Sequence, residues 1–170
     1  ANNDAVGLVE AEGAEAVVPD LIDFFLYSLL GFDFKYRFLA GKKIEKIACN
    51  MLIEIIEFYR STAKKALAKS KRFQPPKLIQ EVAKNASKVI SLGHQTGEGW
   101  FLTGEMIDLI ENGVKNIVCM QPFACLPNHV TGKGMLRGLK KAYPDSNIIA
   151  IDYDPGASEV NQLNRIKLML

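Results

Sequence analysis

Three short stretches hold the residues whose chemistry could matter. The first runs from Gly93 through His94, Gln95, Thr96, Gly97, Glu98 and Gly99 to Trp100, leading into an apolar periodic segment. Glycines ahead of a helix let backbone N–H groups approach an anion, with the helix dipole assisting. The spacing is neither the dinucleotide fingerprint nor a P-loop, and no Gly-Lys-Ser/Thr follows. The plain alternative is a tight linker in which Gln95 or Thr96 caps the helix and Glu98 complements its dipole. His94 is a lone loop histidine, a type that is usually just solvated.

The second stretch runs from Cys119 to His129. Cys119 falls within the apolar run Ile117 to Met120 and reads as a small core residue. Cys125 lies between Pro122 and Pro127, after a strand and before a helix start, where a thiolate is stabilised. That placement suits a metal ligand or a reactive thiol, and an ordinary loop cysteine is the competing reading. Two cysteines six apart, one of them buried, do not by themselves complete a zinc or four-iron site. Asn128 offers a helix cap. Lys133, in Gly132-Lys133-Gly134, would fall one turn inside the following helix, which favours a solvated lysine.

The third stretch, Asp152 to Glu159, places the carboxylates of Asp152 and Asp154 two residues apart directly after an apolar strand. They could bind a metal, orient a base or bond a ribose. Asp-Pro-Gly at 154–156 is also a strong turn signal, and Ser158 can cap the last helix.

The elements that must position these loops follow from periodicity. Asp4 to Glu12 reads as a short helix stopped at Gly13, and Ala14 to Val18 as a strand closed by Pro19. Asp20 caps a helix over Leu21 to Leu30. From Lys35 to Lys77 the residues Ile44, Ile47, Ala48, Met51, Leu52, Ile55, Ile56 and Tyr59 recur at three and four, the pattern of one buried helical face. The same region holds twelve Lys and Arg against three Glu, so its outer face, with Lys64, Lys65, Lys69, Lys71 and Arg72, is expected to be basic and mostly solvated. Pro75 and Pro76 end it, and Lys77 to Ser91 resumes a helix.

From Gly93 onward the order is loop, helix to Glu111, strand Asn116 to Met120, loop Pro122 to Asn128, and helix His129 to Ala142. Strand Asn147 to Ile151, loop Asp152 to Ala157 and a last helix complete it. Strands alternating with helices of this length require crossover connections and hence a parallel sheet, with ligands outside the carboxyl ends of its strands. The expectation is an α/β protein in three portions. Residues 1–34 form an N-terminal α/β part, 35–91 a helical insert, and 92–170 the βα repeats, which pack with 1–34.

At 170 residues, 48% of them hydrophobic and 24% charged, the chain can bury a core, and disorder is excluded. A net charge of +2 gives no ground for a nucleic-acid partner. No apolar run reaches the ~20 residues of a membrane span, and the polar start Ala1-Asn2-Asn3-Asp4 is no signal peptide. Three irregularly spaced cysteines point to a reducing compartment, with the cytoplasm as default. The missing initial Met and the end within an amphipathic segment read as a piece of a larger polypeptide.

Pro-Phe-Ala-Cys-Leu-Pro at 122–127 carries a family resemblance. With it go Thr-Gly-Glu-Gly-Trp at 96–100, Gly-Val-Lys-Asn-Ile-Val at 113–118, Ile-Asp-Tyr-Asp-Pro-Gly at 151–156 and Asn-Gln-Leu-Asn-Arg-Ile at 161–166. Over about residues 85 to 170, and more loosely from Gly7 to Phe25, the chain resembles the C-terminal domain of large acyl-CoA dehydratase activase-related proteins. That domain is similar to the subunits of 2-hydroxyacyl-CoA dehydratases, including 2-hydroxyglutaryl-CoA dehydratase. The resemblance implies a Rossmann-like layered domain from an anaerobic bacterium, in a system that couples ATP-driven electron transfer to iron–sulfur clusters. It implies Cys125 as a cluster ligand, a 4Fe-4S or related cluster in the full-length protein with none retained in this fragment, and partners in an actin-like ATPase (activase) region or dehydratase subunits. Two rival readings stand beside it: a non-catalytic docking module whose basic helix and edge loops bind the ATPase region or a dehydratase partner, and a binder of phosphate or acyl-CoA drawing on Gly93, His94, Thr96, Gly97, Glu98, Gly99, Asp152 and Asp154. The companion cysteines have no counterpart here, and neither do the ATPase motifs. Arg165 matches a family arginine to which no role is assigned.

Overall fold

The structure is a computed structural model that describes residues 4–154 and 156–170. It divides into two units, Ala1–Pro19 with Asn85–Leu170, and Asp20–Lys84. The break falls at Asp20 because that residue starts a new helix: its carboxylate accepts the N–H of Ile22 at 2.9 Å.

The first unit is built on two parallel strands, β1 (Asn116–Pro122) and β2 (Asn147–Tyr153), in register from Asn116 beside Asn147 to Pro122 beside Tyr153. Alternation along β1 sends Ile117 and Cys119 to one face, where they meet Met106 and Ile107 of α5 (Gly99–Glu111) and Leu139 of α6 (Leu136–Ala142). The opposite face, through Ile151, packs on Ala5 of α1 (Ala5–Ala11) and Ile166 of α7 (Glu159–Met169). Helices on both faces bury the sheet as a parallel ladder requires. Each fully buried aliphatic side chain contributes about 1.5–3 kcal/mol. The unit is therefore α/β with a small parallel sheet.

Two expectations fail in the amino-terminal part. Ala14 to Val18 forms no strand; Val17 and Val18 are exposed, and β-prone residues make a strand only when a neighbouring ladder takes their hydrogen bonds. The helix begun at Leu21 continues past 34 to Phe38 as α2 (Leu21–Phe38), so the α/β portion ends at Pro19 instead of 34.

The second unit is a helical hairpin of α2 and α3 (Lys43–Leu67), followed by the start of α4 (Ile79–Ala86). Its reversal is made at Ala40, φ 55°, and Gly41, whose N–H and that of Leu39 both reach the Lys35 carbonyl at 2.9 Å. A Cβ on Gly41 would lie 2.8 Å from that backbone, so only glycine fits.

The facing of α3 is the reverse of the expected one. Ile53 and Arg60 are its buried residues, whereas Ile44, Met51, Ile55 and Tyr59 are exposed. The inward side carries Ile53 and an ionic seam. Arg60 meets Asp20, Asp23 and Glu57 at 2.9, 2.8 and 2.7 Å, Lys64 meets Glu57 at 3.0 Å, and Lys46 meets Asp33 at 2.6 Å. These pairs turn α3 so that its charged side faces α2 and its apolar stripe faces outward. Among the described residues no helix is long and apolar enough to cross a membrane.

Candidate functional site

In-register parallel pairing brings the carboxyl ends of the strands level, with Gln121 beside Asp152. Asp152 itself lies within β2 instead of in the loop expected from 152 to 157. The segment leaving β1 turns at once: the Cys125 N–H donates to the Pro122 carbonyl at 3.1 Å, and Ala124 takes φ 56°. A non-glycine residue in that region stores strain that its surroundings must hold. Cys125 is half-buried, and Asn128 Nδ2 donates to its Sγ at 3.2 Å. Asn128 is thus turned to the thiol and does not cap the helix as expected.

The segment that follows is not a regular helix over His129 to Ala142. Asn128–Gly132 is a π-turn and Lys133–Met135 a 3₁₀ turn before α6 begins. Its cause is close packing. Thr131 Oγ1 donates to the Pro127 carbonyl at 2.8 Å, Thr103 Oγ1 donates to the Thr131 carbonyl, and a Cβ on Gly132 would come within 2.9 Å of both Cys119 Sγ and Leu102 Cδ2. The wider turn redirects Lys133, whose Nζ lies 2.9 and 3.2 Å from the two Asp152 oxygens, so the lysine expected to be solvated is ion-paired. Asp152 is tied a second time, its carbonyl accepting from Gln162 Nε2 of α7 at 2.8 Å.

The glycine segment reaches the same rim. Gly97 has φ +63°, and a Cβ there would stand 2.7 Å from Pro127 Cγ, so the loop opening α5 lies directly on the Cys125 loop. The first amides of α5 are engaged internally: Gly99, Trp100 and Phe101 donate to the carbonyls of Thr96, His94 and Glu98 at 3.1, 2.8 and 3.0 Å. The helix start is therefore closed by backbone, and its N-cap residue, Glu98, makes no side-chain cap. His94 is exposed and Glu98 half-buried. Asp154 is exposed and its Oδ1 accepts the Gly156 N–H at 2.9 Å, an Asx-type turn; Pro155 lies outside the described residues. Ser158 makes no side-chain cap on α7.

The rim thus joins Gly97 to the Cys125 loop through Pro127, and Asp152 to Lys133. Among the described residues no hydrogen bond or ion pair joins Cys125 to Asp152 or Asp154. Sequence reasoning passed over Gln121, fully buried, whose Nε2 donates to Cys119 Sγ at 3.0 Å. Its place on the inward phase of β1, two residues after Cys119, was the available signal.

An iron–sulfur cluster needs about four ligands. Among the described residues no three His, Cys, Asp or Glu side chains are grouped to hold a metal. Cys119 is buried and its thiol pushed up to about 11 by that burial, with the Gln121 hydrogen bond opposing. Among the described residues the side chains around Cys125 do not make up the ligand set of a self-contained cluster.

Fold and rim define a small parallel α/β unit with its loops gathered at the carboxyl end of the strands. The chain matches no protein-family model, no curated protein and no solved structure.

Proposed function

We propose that this chain is a domain of an acyl-CoA dehydratase activase-related or dehydratase-like iron–sulfur protein. Its Rossmann-like sheet would present Cys125 as one cluster ligand, with the remaining ligands supplied from outside this rim. The observation that carries the reading is the setting of Cys125: half-buried, at the carboxyl end of a parallel strand, in a strained turn against Gly97, with Asn128 directed at its sulfur. Three free thiols fit a reducing compartment, in keeping with a cytoplasmic protein. Lys133 paired to Asp152 would shape the adjoining wall. The engaged amides of Gly99, Trp100 and Phe101 weigh against a phosphate cradle at that helix start.

Anaerobic reconstitution with ferrous iron and sulfide tests the reading on the protein with and without Cys125→Ala. The variant is expected to lose bound iron while Cys119→Ala retains it. Equal iron content in the Cys125 variant and the parent removes the ligand role.

A further inference from the structure

We infer that the outward face of α3 is the contact surface of a symmetric dimer of this chain, an inference independent of the reading of the rim. An α-helix advances about 100° per residue, so Ile44, Ile47, Met51, Ile55 and Phe58, with Leu52 and Tyr59 beside them, fall within about 140° of its circumference. They form a stripe about 22 Å long at 1.5 Å rise. Ile53 and Arg60, the buried residues, lie on the other side. The stripe is open to solvent, with Ile44 at 73%, Phe58 at 74% and Tyr59 at 76% relative exposure. A contiguous apolar surface of this kind marks an interface. Its seven side chains present on the order of 900 Å², comparable to the roughly 800 Å² per partner of a standard stable interface.

Charge decides among occupants. Between Ile44 and Tyr59 the only cation is Lys46, which is turned inward onto Asp33 at 2.6 Å, against Glu45, Glu54 and Glu57. A helix lying on anionic lipid needs lysines along both flanks of its apolar stripe. Here the inward flank cations Lys46, Arg60 and Lys64 are held by carboxylates, and Lys65, Lys69 and Lys71 lie beyond the end of the stripe. The same arrangement gives an acidic partner nothing to pair with along the stripe. An uncharged stripe on a rigid helix is complementary to itself, and an isologous two-fold contact lays apolar on apolar without burying a lysine cluster. Phe58, Tyr59 and Met51 supply the aromatic and thioether anchors such contacts use.

Sedimentation velocity of the 170-residue chain, from low micromolar to a few hundred micromolar, is the test. A discrete doubling of mass is expected. Met51→Glu and Phe58→Glu, both at exposed sites, are each expected to weaken it by more than about tenfold with unchanged far-UV circular dichroism. Lys65→Glu should leave it intact. Monomer throughout the range overturns the inference, as does open-ended aggregation, a dimer indifferent to both variants, or one abolished by Lys65→Glu. Sedimentation of a monomeric chain with phosphatidylglycerol–phosphatidylcholine vesicles, lost in Met51→Glu, would assign the stripe to lipid and equally overturn it.

Discussion

Two cysteines six residues apart end in different surroundings because strand alternation and a turn treat them differently. Cys119 points into the layer of Met106, Ile107 and Leu139, while Cys125 follows a left-handed Ala124 at the rim. A thiol pushed up to about 11 has almost no thiolate at neutral pH, so Cys119 should resist alkylation in the folded chain. Peptide mapping after iodoacetamide treatment should find Cys125 modified and Cys119 unmodified until denaturant is added. The same shift has a stability consequence. Between about 9, the ordinary value, and about 11 the unfolded chain releases the Cys119 proton while the folded chain retains it, so stability falls as pH rises through that window. The loss attributable to this one group is about 2–3 kcal/mol, at 1.36 kcal/mol per unit. Cys119→Ala should flatten that part of a urea-midpoint profile, and an unaltered alkaline slope would show that the thiol is not responsible. The difference between the two thiols was legible in sequence, from apolar neighbours around one and prolines around the other. The Lys133–Asp152 pair was not, because it depends on a π-turn set by the close approach of Gly132 to Cys119 and Leu102, a contact that no local pattern encodes.

At the level of the element, the clearest disagreement between pattern and structure is α3. Its three-and-four spacing identified a helix and an apolar face, and both exist; what periodicity does not contain is which side a partner helix takes. That choice follows from charges on α2, where Asp20, Asp23 and Asp33 stand ready for Arg60 and Lys46. Similarly, β1, β2, α5 and α7 were readable from alternation and helical spacing, since each has a local signal, while the absent strand at 14–18 lacked only a neighbour. Burial raises the Asp23 carboxyl, and Arg60 opposes that rise by charge and hydrogen bond. Arg60→Ala would leave Asp23, with its side chain 14% exposed, without its cation, while Glu57 keeps Lys64; stranding a buried charge in this way costs about 3–5 kcal/mol. The Asp23 part of this loss is greatest at neutral pH and shrinks under mild acid, because protonation of a carboxyl with a raised value removes the uncompensated charge. Thermal melts followed by circular dichroism at neutral and mildly acidic pH read both parts. A variant as stable as the parent at neutral pH would show that Arg60 holds nothing together.

Across the whole molecule the two units rest on different physics. Ala1–Pro19 with Asn85–Leu170 closes two apolar clusters over a parallel sheet, whereas Asp20–Lys84 combines buried apolar residues such as Leu26, Leu30 and Ile53 with a charged seam, and turns a further apolar stripe to solvent. Buried ion pairs return little net stability once desolvation is counted, so the hairpin is expected to be the weaker unit. The chain supplies a convenient pair of probes. Its single tryptophan, Trp100, is fully buried in the first unit, while the two longest helices, α2 and α3, belong to the second and dominate the helical signal. In urea at concentrations low enough to keep the chain monomeric, circular dichroism should therefore lose much of its amplitude before Trp100 fluorescence changes. Non-coincident transitions are the signature of unfolding that is not two-state. Phe58→Glu, which relieves apolar exposure without touching the charged seam, should leave the first transition in place, while Arg60→Ala should move it to lower urea and leave the fluorescence transition unmoved. Superimposable curves from the two probes would instead mean that the inserted hairpin and the α/β unit share one cooperative core.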